Sequence, residues 1–480
     1  MVLRPIIAAG VLTALLPALL QTGSLDAKAT VAVPTSLPSS AALFLAAQSS
    51  FAPPIHAWDM KGTLVRISQS EAAWTITSPY RVPPGDIVDV EIHQNGQKVW
   101  QAWSSHGGNS WHGQATQLPP GKWSLDVGIF QPGWASLDGW WNGLASSDSV
   151  NPATVSLKAV AAQVYNAWRE TYVVPSGSGM LRVIRPQNQN DTVSEGIGYG
   201  MLLAAGNHDL STFQGLWAYA QKYQDANGLM NWEINAAGQV VGTGSATDAD
   251  EDMAYALVLA HHNWPGLGFG SAAKTLINTI LAHDVSASNR ILPGDSWGPT
   301  PIMNPSYISP AYYQVFAQFT GNSRWAAIAR QNSQWLVSQA NPETGLLPDW
   351  INANGTLPSI PWDQYPNAWY YDAVRVPWRL WMAASSGNQA AKQVLTAEGK
   401  WILHQDSVSL TSGYTLTGQP LNSYESGPFL SAAVFMAQYA DPALAQKALN
   451  QLEAWHSTTY YGASLRALAL TTLAQNLVPR

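Results

Sequence analysis

From about residue 153 to the C-terminus, apolar residues recur at helical spacing in one segment after another. This repetition limits the folds open to the chain more than any other feature. It runs through "PATVSLKAVAAQVYNAWRETYV", "STFQGLWAYAQKYQ", "DADEDMAYALVLAHHNW" and "SAAKTLINTILAHD". It continues through "PAYYQVFAQFTG", "SRWAAIARQNSQWLVSQA", "NAWYYDAVRVPWRLWMAAS" and "QAAKQVLTAEGKWILHQ", then "SGPFLSAAVFMAQYA", "DPALAQKALNQLEAWHS" and "GASLRALALTTLAQNL". With the stretch after Glu195 the count is twelve, separated by loops carrying Trp, Asp and Gly. Twelve helices in six antiparallel pairs can close into an all-α (α/α)6 toroid that buries a double ring of apolar faces. An open solenoid is the competing reading, but the segments show no fixed sequence period.

The preceding hundred residues have a different period. "TLVRISQ", "AAWTITS", "DIVDVEIHQ", "QKVWQAWSS" and "GKWSLDVGIF" are short alternating or β-branched runs, punctuated by "PPGD", "QNGQ" and "PPGK" as turns. They predict a small β-sandwich domain over residues 55–150, ahead of a catalytic-sized helical domain over 151–480. The β-region carries Trp58, Trp74, Trp100, Trp103, Trp111, Trp123, Trp134, Trp140 and Trp141. Two roles fit it equally: binding polysaccharide through exposed rings, or packing against its neighbour.

The N-terminus indicates export. Arg4 precedes the apolar run "PIIAAGVLTALLPALL", and small residues follow at Ala27 and Ala29, the pattern of a secretory signal peptide spanning 1–29. The run is about 16 residues, short of the roughly 20 of a spanning helix, and Pro17 interrupts it. Residues 30–54 are rich in Ser, Ala and Pro and read as a linker. The mature chain is expected to be extracellular, off the membrane, and monomeric.

Composition narrows the partner. Charged residues are 11%, against about 25% in an average soluble domain, and the net charge is −7 with no basic run. That excludes nucleic acid and anionic membranes as partners. The absence of cysteine excludes disulfides and thiolate metal sites. The 23 tryptophans supply many flat rings with a polar edge, which suit sugar stacking.

Three constellations carry candidate chemistry. In "NDTVSEGIGYGML" (190–202), Thr192 or Ser194 can cap a helix whose first turn holds Glu195, where the dipole favours negative charge. Gly196, Gly198 and Gly200 are expected to strip the helix mouth so that a ligand can approach. The spacing is not that of a dinucleotide loop. In "SATDADEDMAYAL", Asp248, Asp250, Glu251 and Asp252 open a helix. Met253 and Leu259 stand where a calcium loop needs Gly and Glu, so calcium is not expected. About two of the four acids are expected to be solvated, with Asp248 in the groove. In "WYYDAVRVPWRL", Asp372 and Arg375 are three apart and can pair, which would hold a base ionised; an ordinary ion pair has the same spacing.

The motifs "TVSEGIGYGMLLA", "ATDADEDMAYALVLA", "PGDSWG", "NPSYISPAYYQVFA" and "YDAVRVPWR", in this order over residues 153–478, resemble glycoside hydrolase family 8. That is the family of secreted bacterial endo-β-1,4-glucanases and their relatives. The resemblance implies an (α/α)6 barrel with an open cleft and an inverting mechanism. It implies Glu195 as general acid, Asp372 as general base and Asp248 as the aspartate orienting the sugar at the cleavage point. Tyr307 and Arg375 fall where the family supports the base and its water, and Trp232, Trp297 and Tyr371 fall where rings stack on glucose. Family members acting on chitosan or mixed-linkage glucan have another residue at the position of Asp372, so the chain resembles the cellulase and xylanase branch.

The chemistry is consistent with that reading: one protonated and one ionised carboxyl flank the scissile bond, with no metal or organic cofactor. Apolar burial would keep Glu195 protonated, and Arg375 would keep Asp372 ionised. Xylan is the alternative substrate. A non-catalytic glycan-binding protein fits poorly because both acids are present. A lyase fits poorly because it would use a Tyr, His or Lys base.

Overall fold

The computed structural model describes residues 60–147 apart from 69 and 136, and residues 156–477 apart from 406, 407, 456, 458 and 476. The expected signal peptide and linker lie outside the described residues, as does Trp58. The chain divides into two compact units, with the change at residues 156 and 157.

The first unit is all β. Strands β1 (Lys61–Ser68), β2 (Glu71–Val82) and β5 (Gly108–Ala115) form one antiparallel sheet in the order β1-β2-β5. Strands β3 (Ile87–Gln94), β4 (Gln97–Ser104), β6 (Trp123–Phe130) and β7 (Leu137–Ser147) form another, in the order β4-β3-β6-β7. Alternation makes the core. Val88, Val90 and Ile92 of β3 and Leu125, Val127 and Ile129 of β6 point one way. They share one apolar cluster with Leu64, Trp74, Ile76 and Trp111 of the other sheet. Asn95 and Gly96 join β3 to β4 with both φ values positive (52° and 75°), the turn that "QNGQ" predicts. Strands β5 and β7 carry no alternating signal; pairing with β2 and β6 creates them.

The second unit contains twelve helices among its described residues. They are α1 (Leu157–Tyr172), α2 (Ser194–Gly206), α3 (Leu210–Lys222), α4 (Thr247–Asn263), α5 (Phe269–His283) and α6 (Pro310–Thr320). The rest are α7 (Arg324–Gln339), α8 (Val376–Ser385), α9 (Gln389–Leu403), α10 (Gly427–Ala437), α11 (Pro442–Ala454) and α12 (Tyr460–Leu473). The even-numbered helices pack in a closed cycle: α2 on α4, then α6, α8, α10 and α12, which returns to α2. Each odd-numbered helix packs outside an even one, α1 on α12 and α3 on α2 through α11 on α10.

Sequence explains the two roles. Every residue of α2 and of α10 is buried, as in a helix apolar all round. Helix α1 buries only Val160, Ala161, Val164, Tyr165, Trp168 and Tyr172, a single stripe. Short turns at 207–209, 264–268, 321–323, 386–388 and 438–441 lead from even to odd helices. Long segments at 173–193, 223–246, 284–309, 340–375 and 404–426 lead back. The N-termini of the even helices therefore gather at one end with the long segments, and the candidate residues sit there. No helix among the described residues is long and apolar enough to cross a membrane.

Candidate active site

Helix α2 does not start as its sequence suggests. Thr192 and Val193 pair with Ile234 and Glu233, and the Ser194 N–H donates to the Trp232 carbonyl at 2.9 Å. Val193 is therefore the N-cap residue, and no side chain caps the helix. Neither Thr192 nor Ser194 does so, because extended pairing already satisfies the entering backbone. Glu195 lies in the first turn and is 6% exposed. Its Oε1 accepts from the Tyr199 hydroxyl at 3.3 Å and from Arg375 Nη1.

The glycines after Glu195 serve packing, which corrects the expectation of an open mouth. A Cβ on Gly196 would stand 2.7 Å from the Tyr460 hydroxyl, and one on Gly198 would stand 2.9 Å from Asp252 Cβ. One on Gly200 would stand 2.6 Å from Leu216. Neighbouring helices already occupy the space, so the bare face of α2 admits α4, α3 and α12 rather than a ligand.

The acids of α4 are also unlike their expectation: all four are buried, and none is solvated. Asp252 accepts from Arg379 Nη2 at 2.9 Å, Glu251 from the Tyr313 hydroxyl at 2.8 Å, and Asp250 from the Met230 N–H at 3.2 Å. With so few charges in the chain, these acids are spent on internal ties. Asp248 does reach the site, but as a fully buried carboxyl that accepts from Arg375 Nη1 at 2.7 Å. Thr247 is the first helical residue, and Ala246 is the cap.

Asp372 and Arg375 touch through a 3-10 turn (Ala373–Arg375) that precedes α8, with Pro377 in the first turn of that helix. Arg375 Nη2 donates to Asp372 Oδ1 at 2.9 Å and to Ser306 Oγ at 2.8 Å, while Nη1 serves Glu195 and Asp248. A planar fork with five donors can join three carboxyls where a lysine could not. The pair is thus more than the intrahelical contact its spacing suggests. Asp349 fixes the turn: its carboxylate accepts the N–H groups of Tyr370 (2.9 Å), Asp372 (3.0 Å) and Ala373 (2.7 Å).

Burial dominates the electrostatics. It holds the Asp248 carboxyl well above the usual range in spite of Arg375. It also pushes Asp372 up to about 7, against the pull of Arg375, with Asp363 and Glu195 adding to the rise. Arg375 thus acts in the expected direction but does not prevail. The guanidinium is shared among three carboxyls, and desolvation prevails. The carboxylates of Asp349, Asp363 and Asp372 have oxygens within 4.8 Å of one another. The Asn304 amide lies beside Asp372 and helps to lower its pKa, while the amide Oδ1 accepts from Ser306 N–H and Oγ.

Glu195 lines a cleft together with Trp232, Trp297, Tyr307 and Trp350. Trp297 and Trp350 stack with centroids 5.8 Å apart and planes at 15°. The Tyr307 ring lies 5.5 Å from the Arg375 guanidinium carbon. Trp232 is buried, with one face against Gly242. Tyr371 stands apart from this wall: Ser412 Oγ donates to its hydroxyl at 2.6 Å, and its carbonyl accepts from Tyr461 at 2.6 Å.

The structure therefore brings together Glu195, Asp248, Asp372, Arg375 and Tyr307, with Trp232 and Trp297 beside Glu195. Sequence reasoning missed Tyr199, Asn304, Ser306, Asp349 and Trp350. Tyr199, one turn beyond Glu195, was readable from helical spacing. Asn304 and Ser306 lie inside the quoted "NPSY". Asp349 and Trp350, in "LPDW", gave no periodic signal.

The family model for Glycosyl hydrolases family 8 matches residues 146–475. Endoglucanase 2 of Ruminiclostridium josui is 37% identical over 338 residues, covering 68% of this chain and 72% of that protein. Endoglucanase A of Acetivibrio thermocellus is 36% identical over 342 residues, covering 68% of this chain and 70% of that protein. The apo structure of a β-1,3-1,4-glucanase from Paenibacillus sp. X4 is similar at a TM-score of 0.63 and 27% identity, covering 68% of this chain and 94% of that one. With the helical unit matched almost end to end, this chain belongs to glycosyl hydrolase family 8.

Proposed function

We propose that this protein is an exported endo-β-1,4-glucanase that cleaves cellulose-type chains with inversion on an (α/α)6 toroid. The closed cycle of even-numbered helices supports the toroid, and the pattern of residues 1–29 supports export. The observation that carries the reading is the Arg375 fork, which joins Glu195, beside the aromatic cleft, to Asp372. Both endoglucanases named above support the substrate.

Glu195 is the general acid and Asp372 the general base. Arg375 and Tyr199 both engage Oε1 of Glu195, which leaves Oε2 to carry the proton to the glycosidic oxygen. Asp372 takes a proton from a water that attacks the anomeric carbon from the opposite face. The Asn304 Nδ2 donor and the Tyr307 hydroxyl orient that water. Asp248 orients the sugar, and Trp232, Trp297 and Tyr371 stack on its neighbours. Glucan differs from xylan by a hydroxymethyl group on each ring.

Purified protein assayed on carboxymethyl-cellulose, xylan and chitosan tests the assignment. The expected result is a fall in cellulose viscosity that outpaces the release of reducing ends, with little action on the other two. Faster cleavage of xylan would replace the substrate, and no cleavage of any would remove the activity.

A further inference from the structure

The β unit up to residue 145 lies outside the family match, which begins at residue 146. Among the tryptophans whose side chains are described, only two are exposed, Trp103 (60%) and Trp134 (43%). Both belong to this unit, and they touch, with ring centroids 6.3 Å apart and planes at 73°. Phe130 backs Trp134 at 4.8 Å. Trp74, Trp111 and Trp123 of the same unit are buried in its core, so exposure is not a general property of its rings.

The surroundings of the pair are built. Val88, Val90 and Ile92 of β3 face the core, so Asp89, Glu91 and His93 face the opposite way. Register places Trp103 opposite Asp89, and Gln101 opposite Glu91, on that outer face. A polar row runs along it beside the rings. Gln101 Nε2 donates to both oxygens of Asp89 (2.8 and 3.0 Å), and Lys98 donates to Glu91 (2.8 Å) and to Gln101 Oε1 (2.9 Å). His93 Nε2 meets Glu91 at 2.7 Å. These bonds fix the long side chains, so a ligand need not order them. Trp134 itself closes a 3-10 turn (Pro132–Trp134) with φ 62°. A left-handed backbone is an outlier for so bulky a residue, and such strain collects at ligand clamps.

We propose that this face is a glycan-binding platform, with Trp103 and Trp134 stacking on pyranose rings and Gln101 and Lys98 meeting hydroxyl groups. Apolar ring faces beside a fixed row of donors and acceptors match a sugar, which has apolar C–H faces and a hydroxyl rim. Charge sets the class: Asp89, Glu91 and Asp126 outnumber the bases beside them, Lys98 and His93, both of which pair with Glu91, so the face suits an uncharged glycan better than an acidic one. The ligand is an uncharged β-linked glucan, an identification that rests on the substrate reading above. The platform holds the enzyme on an insoluble chain while cleavage proceeds elsewhere.

The test compares full-length protein with Trp103→Ala, Trp134→Ala and the double variant. Two quantities are measured: partition onto microcrystalline cellulose in the cold, and turnover of a soluble cello-oligosaccharide. Both side chains are exposed, so the melting temperature should hold. The double variant should lose about tenfold in partition constant, the effect of removing two stacking rings, with each single variant in between. Soluble turnover should stay within about twofold, because neither residue lines the cleft. Unchanged partition would overturn the proposal, and so would a lower melting temperature with unchanged partition, which would make the face a packing surface. If the protein bound cellulose through these rings but cleaved no cello-oligosaccharide, the substrate reading would fail and the platform would stand.

Discussion

Glu195 and Asp372 accept hydrogen bonds from opposite amino groups of one guanidinium, that of Arg375. A single rigid group thus sets the relation between the proposed acid at the start of α2 and the proposed base that caps the turn before α8. Rigid positioning is what acid–base catalysis requires, since the groups must meet the reacting atoms within hydrogen-bond reach. Because the fork is buried among carboxyls, its loss should be felt in turnover before binding.

Glu195→Gln and Asp372→Asn should each lower kcat by about 10²–10⁴-fold, the usual contribution of a general acid or base. Melting temperature and binding of an oligosaccharide should change little. Arg375→Lys should cost a comparable factor, because a point charge cannot join three carboxyls. Retention of more than about a tenth of wild-type turnover by either carboxyl variant would reject that assignment.

The pH profile should betray the burial of Asp372. A base pushed up to about 7 is protonated and idle below that value, so kcat/KM should fall toward acid with a limb near 7. Asp363, whose carboxylate oxygen lies within 4.8 Å, adds like charge that raises Asp372. Asp363→Asn should therefore move the limb to lower pH. An upward shift, or none, would contradict the arrangement.

Stability should run the other way from activity. Burial raises Asp248, Asp250, Glu251, Asp284, Asp349 and Asp372, so each binds protons more tightly folded than unfolded. Folding therefore favours proton uptake at all of them, for Asp372 between about pH 7 and about pH 4, and the folded state gains stability as pH falls toward the ordinary carboxylate range. Asp209 and Asp295 are lowered and act oppositely, with their contributions lost only below the ordinary carboxylate range. The melting temperature should hold or rise from pH 7 to about 4.5, and a steep early loss in calorimetry would refute this.

Gly198→Ala tests the packing role of the glycines. The new Cβ would meet Asp252 Cβ at 2.9 Å and the Ala249 carbonyl at 3.1 Å, backbone and stem atoms that cannot swing away. Overpacking of this kind typically costs about 1–3 kcal/mol, which exceeds the helix propensity gained from alanine. A lowered melting temperature is expected, and a raised one would restore the view that the glycines leave open space.

These glycines mark where the sequence stops being legible. The helices are readable because the outer ones carry a 3.6-residue apolar stripe and inner ones such as α10 are apolar all round. The motif residues are readable because short spacings place them on helix starts. A bare helix face looks the same whether a ligand or another helix fills it, and only the third dimension separates Tyr460 and Asp252 from a sugar. The acids of α4 were misread for the same reason, since their partners Arg379 and Tyr313 come from distant segments. Asp349 was invisible because it acts on backbone N–H groups far along the chain. In the β unit, strand alternation separates core from surface, but only register reveals that Trp103 stands beside the acidic row.

Activation of a water by Asp372, on the face opposite Glu195, has a stereochemical signature. An inverting pair leaves room for that water, with carboxyls about 6.5–9.5 Å apart, against roughly 5–5.5 Å when the second acid attacks the sugar itself. Proton NMR during the first minutes of hydrolysis of a β-linked cello-oligosaccharide reports the anomer released before mutarotation. The α-anomer is expected first. Initial release of the β-anomer would mean a covalent intermediate and would remove Asp372 from its role as base.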